Sequence, residues 1–317
     1  MNKVELNNIS INSGANQHYE RLTNKSNGFI SPLESLQDWI DEGRLAGDNL
    51  RLVQDVKNQL KDIVEGKPKD LRNFITIFGE VTDLDFSNDF INKLRYNSFR
   101  KNNRAITFIK SFNLKSCPYC NTQYIISLNT KGKLLCHFDH IYPKMKYPYL
   151  SISYYNLLPS CSYCNQMKSE ADPFLDSSFK HPYEQSISDK FKFKATDIAL
   201  KNYTSRGRTK REDKNIKVIV EKGENIKFHL DTFKIEEIHN EHHDVIDEIY
   251  LKSLIYNSSY YEELKRKYVD DKGWLTMGEL KRVIYGNYMH SSDINKRPLS
   301  KMTQDILEQF NKLRLKK

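Results

Sequence analysis

A chain of 317 residues in which 38% are hydrophobic, with 19 Tyr and 16 Phe, has enough apolar surface to bury a core and lacks the aromatic-poor signature of disorder. No run of about 18 uncharged apolar residues occurs, and residues 1–17 are polar without an apolar core; this argues against a membrane span and a secretory signal, and for the cytoplasm. The net charge of +9 is unevenly placed, because residues 101–217 contain 20 Lys+Arg against 9 Asp+Glu. A basic centre with near-neutral flanks points to a polyanionic partner such as nucleic acid, bound through phosphate neutralisation.

A polar tail over 1–20 precedes a helical region over 21–112. Ser31-Pro32-Leu33-Glu34 has the composition of a capping box with proline in the first turn, and Gly43 is placed to stop that helix. Apolar residues from Leu50 to Val64 recur near helical spacing and predict one helix over about Asp48 to Glu65, ended by Gly66 and Pro68. A third helical stretch is expected over about Phe90 to Phe112.

The pattern changes at Cys117. Gln123 to Leu128 reads as a strand, Asn129-Thr130-Lys131-Gly132 as a turn and Lys133 to Asp139 as a second strand, forming a hairpin. Pro143 and Pro148 favour an extended loop before Asn156. A short helix is predicted from Ser162 to Glu170, with Asn165 and Lys168 on one face. These elements define a domain over 113–185. Over 186–317 the residues Lys201 to Arg211 read as a basic loop, followed by helices at about 234–256, 259–268, 276–288 and 300–315. The expected class is α+β, mostly helical.

Four of the five cysteines form two C-x-x-C pairs, Cys117/Cys120 and Cys161/Cys164, which favour a closed tetrathiolate zinc site over disulfides. Cys136 lies in an apolar run and reads as a small buried hydrophobe. His239, His242 and His243 have helical spacing but no accompanying H-E-x-x-H signature, so exposed helix histidines are expected.

Between the cysteine pairs lies Phe138-Asp139-His140-Ile141-Tyr142-Pro143; Asn156 follows, and Cys161-Ser162-Tyr163-Cys164-Asn165-Gln166-Met167-Lys168 closes the set. This ordered set, within about residues 115–170, resembles the HNH endonucleases. The resemblance implies a ββα-metal finger with a four-cysteine zinc staple. It implies His140 as general base, Asp139 and Asn165 as oxygen ligands of a catalytic Mg²⁺ or Mn²⁺, and Asn156 as the residue that holds the loop and orients His140. Asn165 stands where the family name has its second histidine, which favours a hard, oxygen-bound cation. Lys168 reads either as a phosphate contact or as a solvated helix lysine, Asn156 alternatively as an ordinary loop residue. His137, on the same strand face as Asp139, is a further possible ligand.

A narrower resemblance, through Phe138 to Leu150, Tyr155 to Cys161 and Lys296 to Lys301, is to the HNH subunit of Septu-type antiphage defence systems, some of them retron-associated. It implies an ABC-type ATPase partner, or a retron reverse transcriptase complex, and hydrolysis of DNA or RNA phosphodiesters to 5′-phosphate and 3′-hydroxyl ends. Two other classes fit the same residues: a non-catalytic zinc-finger adaptor that binds nucleic acid, and a stand-alone restriction-type nuclease.

Overall fold

The computed structural model describes residues 1–4, 11–24, 30–112, 114–126, 129–130, 133–134, 136–204 and 215–314. It divides into two compact units: Met1–Lys3, Leu114–Tyr124 and Ser178–Lys317 form one, Val4–Asn113 and Ile125–Ser177 the other. This interleaving replaces the linear partition at 113 and 185 expected from the sequence. The class is α+β and mostly helical, with three two-stranded antiparallel sheets among the described residues.

The unit that contains most of the first 177 residues begins with α1 (Ile11–Thr23), which starts inside the expected polar tail and runs past its end at residue 20. Its polar sequence hid it, but Ala15 and Leu22 are buried, and His18 lies edge-on to Phe99 and Phe108 at 5.1 Å. Helix α2 (Pro32–Asp41) starts as expected: Ser31 accepts from the Glu34 amide, Glu34 accepts from the Ser31 amide, and Pro32 occupies the first turn. The predicted 48–65 helix is broken at Gln59 into α3 (Gly47–Asn58) and α4 (Leu60–Glu65). Pro68, read as a stop, instead opens α5 (Pro68–Phe78), because proline at the first helical position removes an amide that needs no partner there. The 90–112 stretch resolves into α6 (Leu84–Lys93), α7 (Tyr96–Lys101) and α8 (Asn103–Lys110), with Arg95 in the left-handed region at φ 63° between the first two.

The expected hairpin exists only as β1 (Asn129–Thr130) against β2 (Lys133–Leu134). Among the described residues of Gln123 to Leu128 no strand forms; Tyr124 makes an isolated bridge to Ser116, and residues 127–128 lie outside the described set. Strand β3 (His137–His140) pairs antiparallel with β4 (Leu157–Ser160), and α9 (Ser162–Lys168) follows at once and packs on β3. Strand alternation decides what each β3 side chain meets. Phe138 packs on Phe99 and Phe108, and His140 on Tyr96, all on the preceding helices. Asp139 faces Lys168 of α9.

The other unit adds β5 (Phe191–Ala195), α10 (Asp197–Thr204) and β6 (Ile216–Val220), none of them read from the sequence; residues 201–204 of the basic passage, read as loop, end α10, and residues 205–211 of it lie outside the described set. The helices α11 (Lys227–Phe233), α12 (Ile235–Asn240), α13 (His243–Ile255), α14 (Ser258–Lys265), α15 (Met277–Tyr285) and α16 (Ser300–Arg314) complete it. The predicted 234–256 helix is thus interrupted at Glu241, so the three histidines do not share one helix. His239 is fully buried, its Nδ1 donating to the Ile235 carbonyl at 2.7 Å, and burial pushes its pKa down to about 4. The expectation of an exposed residue is overturned there; His242 and His243 are half-buried. No helix among the described residues is long and apolar enough to cross a membrane.

Candidate functional site

Strand β3 ends at His140, and there Asp139, His140 and Asn165 border one cavity of about 380 Å³. Asn165 arrives from the first turn and a half of α9, whose N-cap is Cys161. His137, half-buried, lines the same cavity, as do Tyr96 and Arg100 of α7, and Lys144 and Glu170.

The His140 ring is buried, and its Nε2 lies 2.9 Å from the Ser151 carbonyl oxygen. A carbonyl only accepts, so Nε2 carries the proton and Nδ1 keeps its lone pair. Burial, then the charge of Lys144, pushes the His140 pKa down to about 3; the Ser151 carbonyl opposes this, and Lys168 and Arg100 add to it. The imidazole is therefore neutral throughout the physiological range, well below the near-neutral value expected from the sequence. Tyr96 lies edge-on to His140 with ring centroids 4.7 Å apart, and burial raises its hydroxyl to about 12.

Asn156 is fully buried between the strands and the loop. Its Oδ1 accepts from the Tyr142 amide at 2.7 Å, while Nδ2 donates to the carbonyls of Tyr142 at 3.1 Å and Leu150 at 3.0 Å. The Asn156 carbonyl also accepts from the Ile141 amide at 2.9 Å. These bonds fix both ends of the loop whose Ser151 carbonyl orients His140.

Lys168 overturns both sequence readings, because it is neither a surface lysine nor at the cavity: 1% of it is exposed. Its ammonium donates to the His140 carbonyl at 2.7 Å and lies 3.4 Å from Asp139 Oδ1. Helix α9 packs directly on β3, so a side chain on its inner face has nowhere else to place the charge. Lys168 holds the Asp139–His140 corner from behind.

The sulfur atoms of Cys117, Cys120, Cys161 and Cys164 all lie within 4.8 Å of one another, and all four cysteines are buried and free of disulfides. A tetrahedron of thiolates at the usual zinc–sulfur distance of ~2.3 Å has edges of roughly 3.8 Å, so this donor set suits a structural metal such as zinc. The Thr122 hydroxyl and amide point at Cys120 Sγ from 3.1 and 3.4 Å, and the Cys164 amide at Cys161 Sγ from 3.4 Å; such donors favour thiolates. Cys136 stays apart, buried, its thiol pushed up to about 12 by burial. At the cavity the polar groups are of the opposite kind: the carboxylate of Asp139 and the amide of Asn165.

Sequence reasoning missed three residues here. Tyr96 and Arg100 belong to a helix far from the motif in sequence. Asn121, directly after Cys120, is buried in the left-handed region at φ 57°. Its side chain donates to Ser116 Oγ and the carbonyls of Ile294 and Arg297, and accepts from the Lys301 amide. The segment Lys296 to Lys301 thus has a local purpose: it supports the first cysteine pair. An asparagine just beyond C-x-x-C, where the chain must turn, was the available signal. No protein-family description, curated protein or solved structure matches the chain.

Proposed function

We propose that the chain is a metal-dependent HNH endonuclease that hydrolyses phosphodiester bonds of nucleic acid, with the four cysteines binding structural zinc. The observation that supports this most is the convergence of Asp139 and His140, at the end of β3, and Asn165, on α9, on one cavity, with the His140 tautomer set by Ser151. A divalent ion held by Asp139 and Asn165, magnesium or manganese, would supply charge stabilisation at the phosphate.

His140 Nδ1, proton-free at neutral pH, is the acceptor for a proton from water. The water oxygen forms a bond to phosphorus as its proton passes to Nδ1, the bond to the 3′ oxygen breaks, and that oxygen takes a proton from solvent, giving a 5′-phosphate and a 3′-hydroxyl. Entry of an anionic phosphate raises the affinity of the His140 ring for that proton, offsetting the neighbouring cations that lower it in the free protein. Asn156 keeps the Ser151 carbonyl in place, and Lys168 keeps Asp139 turned to the cavity.

The resemblance through residues 138–161 and 296–301 supports a narrower reading, an antiphage effector with an ABC-type ATPase partner; co-purification of such an ATPase from the native host tests it. The enzymatic reading is tested by Mg²⁺-dependent cleavage of plasmid DNA and of RNA by the wild type and His140→Ala, with zinc content measured in both. Cleavage is expected in the wild type alone, with equal zinc; equal cleavage by both proteins removes His140 from the chemistry.

A further inference from the structure

Helix α7 lies outside the motif-bearing segment, yet it supplies part of the cavity. Tyr96 and Arg100 are four residues apart on it and so share a face, and both line the space bordered by Asp139 and His140. The Tyr96 ring has two partners: His140, with centroids 4.7 Å apart, and the Lys144 ammonium, 5.7 Å from the ring centre. Arg100 is exposed at the cavity and Lys144 half-buried.

Charge balance at the cavity favours an anion. Asp139 is already matched by Lys168 behind it, leaving Glu170 as the other carboxylate on the wall, against two cations. Among the described residues, neither Arg100 nor Lys144 is in an ion pair. Lys144 is lowered first by burial, with Glu170 opposing, Arg100 adding to the shift and Asp139, the smallest cause, opposing it, so the two cations repel each other across the cavity. An anion between them relieves that repulsion.

We propose that Arg100 and Lys144 bind a phosphodiester group of the nucleic acid in this cavity, so that the N-terminal helical segment completes the substrate site. Arg100 offers a planar fork suited to two phosphate oxygens, Lys144 a point charge steadied over the Tyr96 face. This rests on the nuclease reading, and the test separates the two.

A short fluorescent DNA duplex and an RNA of the same sequence are titrated with full-length wild type, Arg100→Gln and Lys144→Gln, over a salt series and without added divalent ion. Arg100→Gln and Lys144→Gln should each weaken binding about tenfold at low salt and reduce the salt slope by about one. Arg100→Lys should recover part of the affinity. Wild-type binding that neither Gln variant alters by more than about twofold overturns the phosphate assignment while leaving the His140 cleavage test untouched. Failure of the wild type to bind either nucleic acid removes both readings. Thermal melts of the Gln variants should lie close to wild type, since Arg100 is exposed and neither residue is in an ion pair among the described residues.

Discussion

Replacing Lys168 by methionine separates the internal electrostatics from the chemistry they support. The substitution keeps the volume of the side chain but leaves the Asp139 carboxylate, itself 3% exposed, without its ammonium 3.4 Å away, and the His140 carbonyl without a donor at 2.7 Å. Removing one partner from a buried ion pair costs about 3 to 5 kcal/mol, because the remaining charge stays desolvated. Hydrogen exchange of peptides within residues 137–168, followed in rising urea, reads the stability of this region directly. Lys168→Met should lose about 3 to 5 kcal/mol there, and Asp139→Asn combined with Lys168→Met should recover most of it, since no charge is then stranded. Saturating Mg²⁺ should stabilise Lys168→Met more than wild type, the cation taking up the uncompensated carboxylate. A loss below about 1 kcal/mol, or a double variant whose cost is the sum of the singles, would refute the argument that Lys168 neutralises Asp139.

Asn156→Ala deletes three hydrogen bonds to Tyr142 and Leu150 and should cost roughly 3 kcal/mol in urea denaturation; Asn156→Asp, unable to donate to the two carbonyls, should also destabilise. His18 is pushed down to about 4, by burial first, with the Ile152 carbonyl opposing and Arg21 adding to the shift. Protons therefore bind the unfolded chain more readily: stability is full above about pH 6.5 and falls toward pH 4, by about 3 kcal/mol for this residue. Denaturation midpoints of wild type and His18→Asn across that range should show a shallower acid slope in the variant; parallel curves would exclude His18 as a cause. Zinc should be present at about one ion per chain and be lost from Cys117→Ser and Cys161→Ser, while Cys136→Ser, outside the thiolate cluster, keeps it. Retention by all three variants would argue against a tetrathiolate site.

What could be read from the sequence was local. The Ser31–Glu34 capping box, the late helices from α14 to α16 and the short helix after Cys161 depend on neighbours within a few residues, and the structure has each of them. The polar first helix was missed because its buried residues, Ala15, His18 and Leu22, are too few to set a clear stripe. The break at Gln59 and the short strands around 129–134 are tertiary choices that override propensity. At the candidate site, residue types and order were legible, but burial was not. The sequence could not show that Lys168 lies behind Asp139, or that His140, placed against Tyr96 and beside Lys144, would lose so much basicity. Arg100 carried no signal, since a lysine- and arginine-rich helix end reads the same whether it faces a cavity or bulk water.

Asn121 ties residues 116–121 to the segment 294–301, a separation of 180 residues in the bond from the Lys301 amide. On the ribosome that partner emerges late: at ~5 to 20 residues per second, roughly 9 to 36 s pass between synthesis of the two. For that interval Cys117 and Cys120 form a dithiol loop without the framework that later shapes it, open to oxidation or to capture of the wrong metal. A product arrested before residue 294 would have the cysteines but not the contacts through which residues 294–301 hold Asn121.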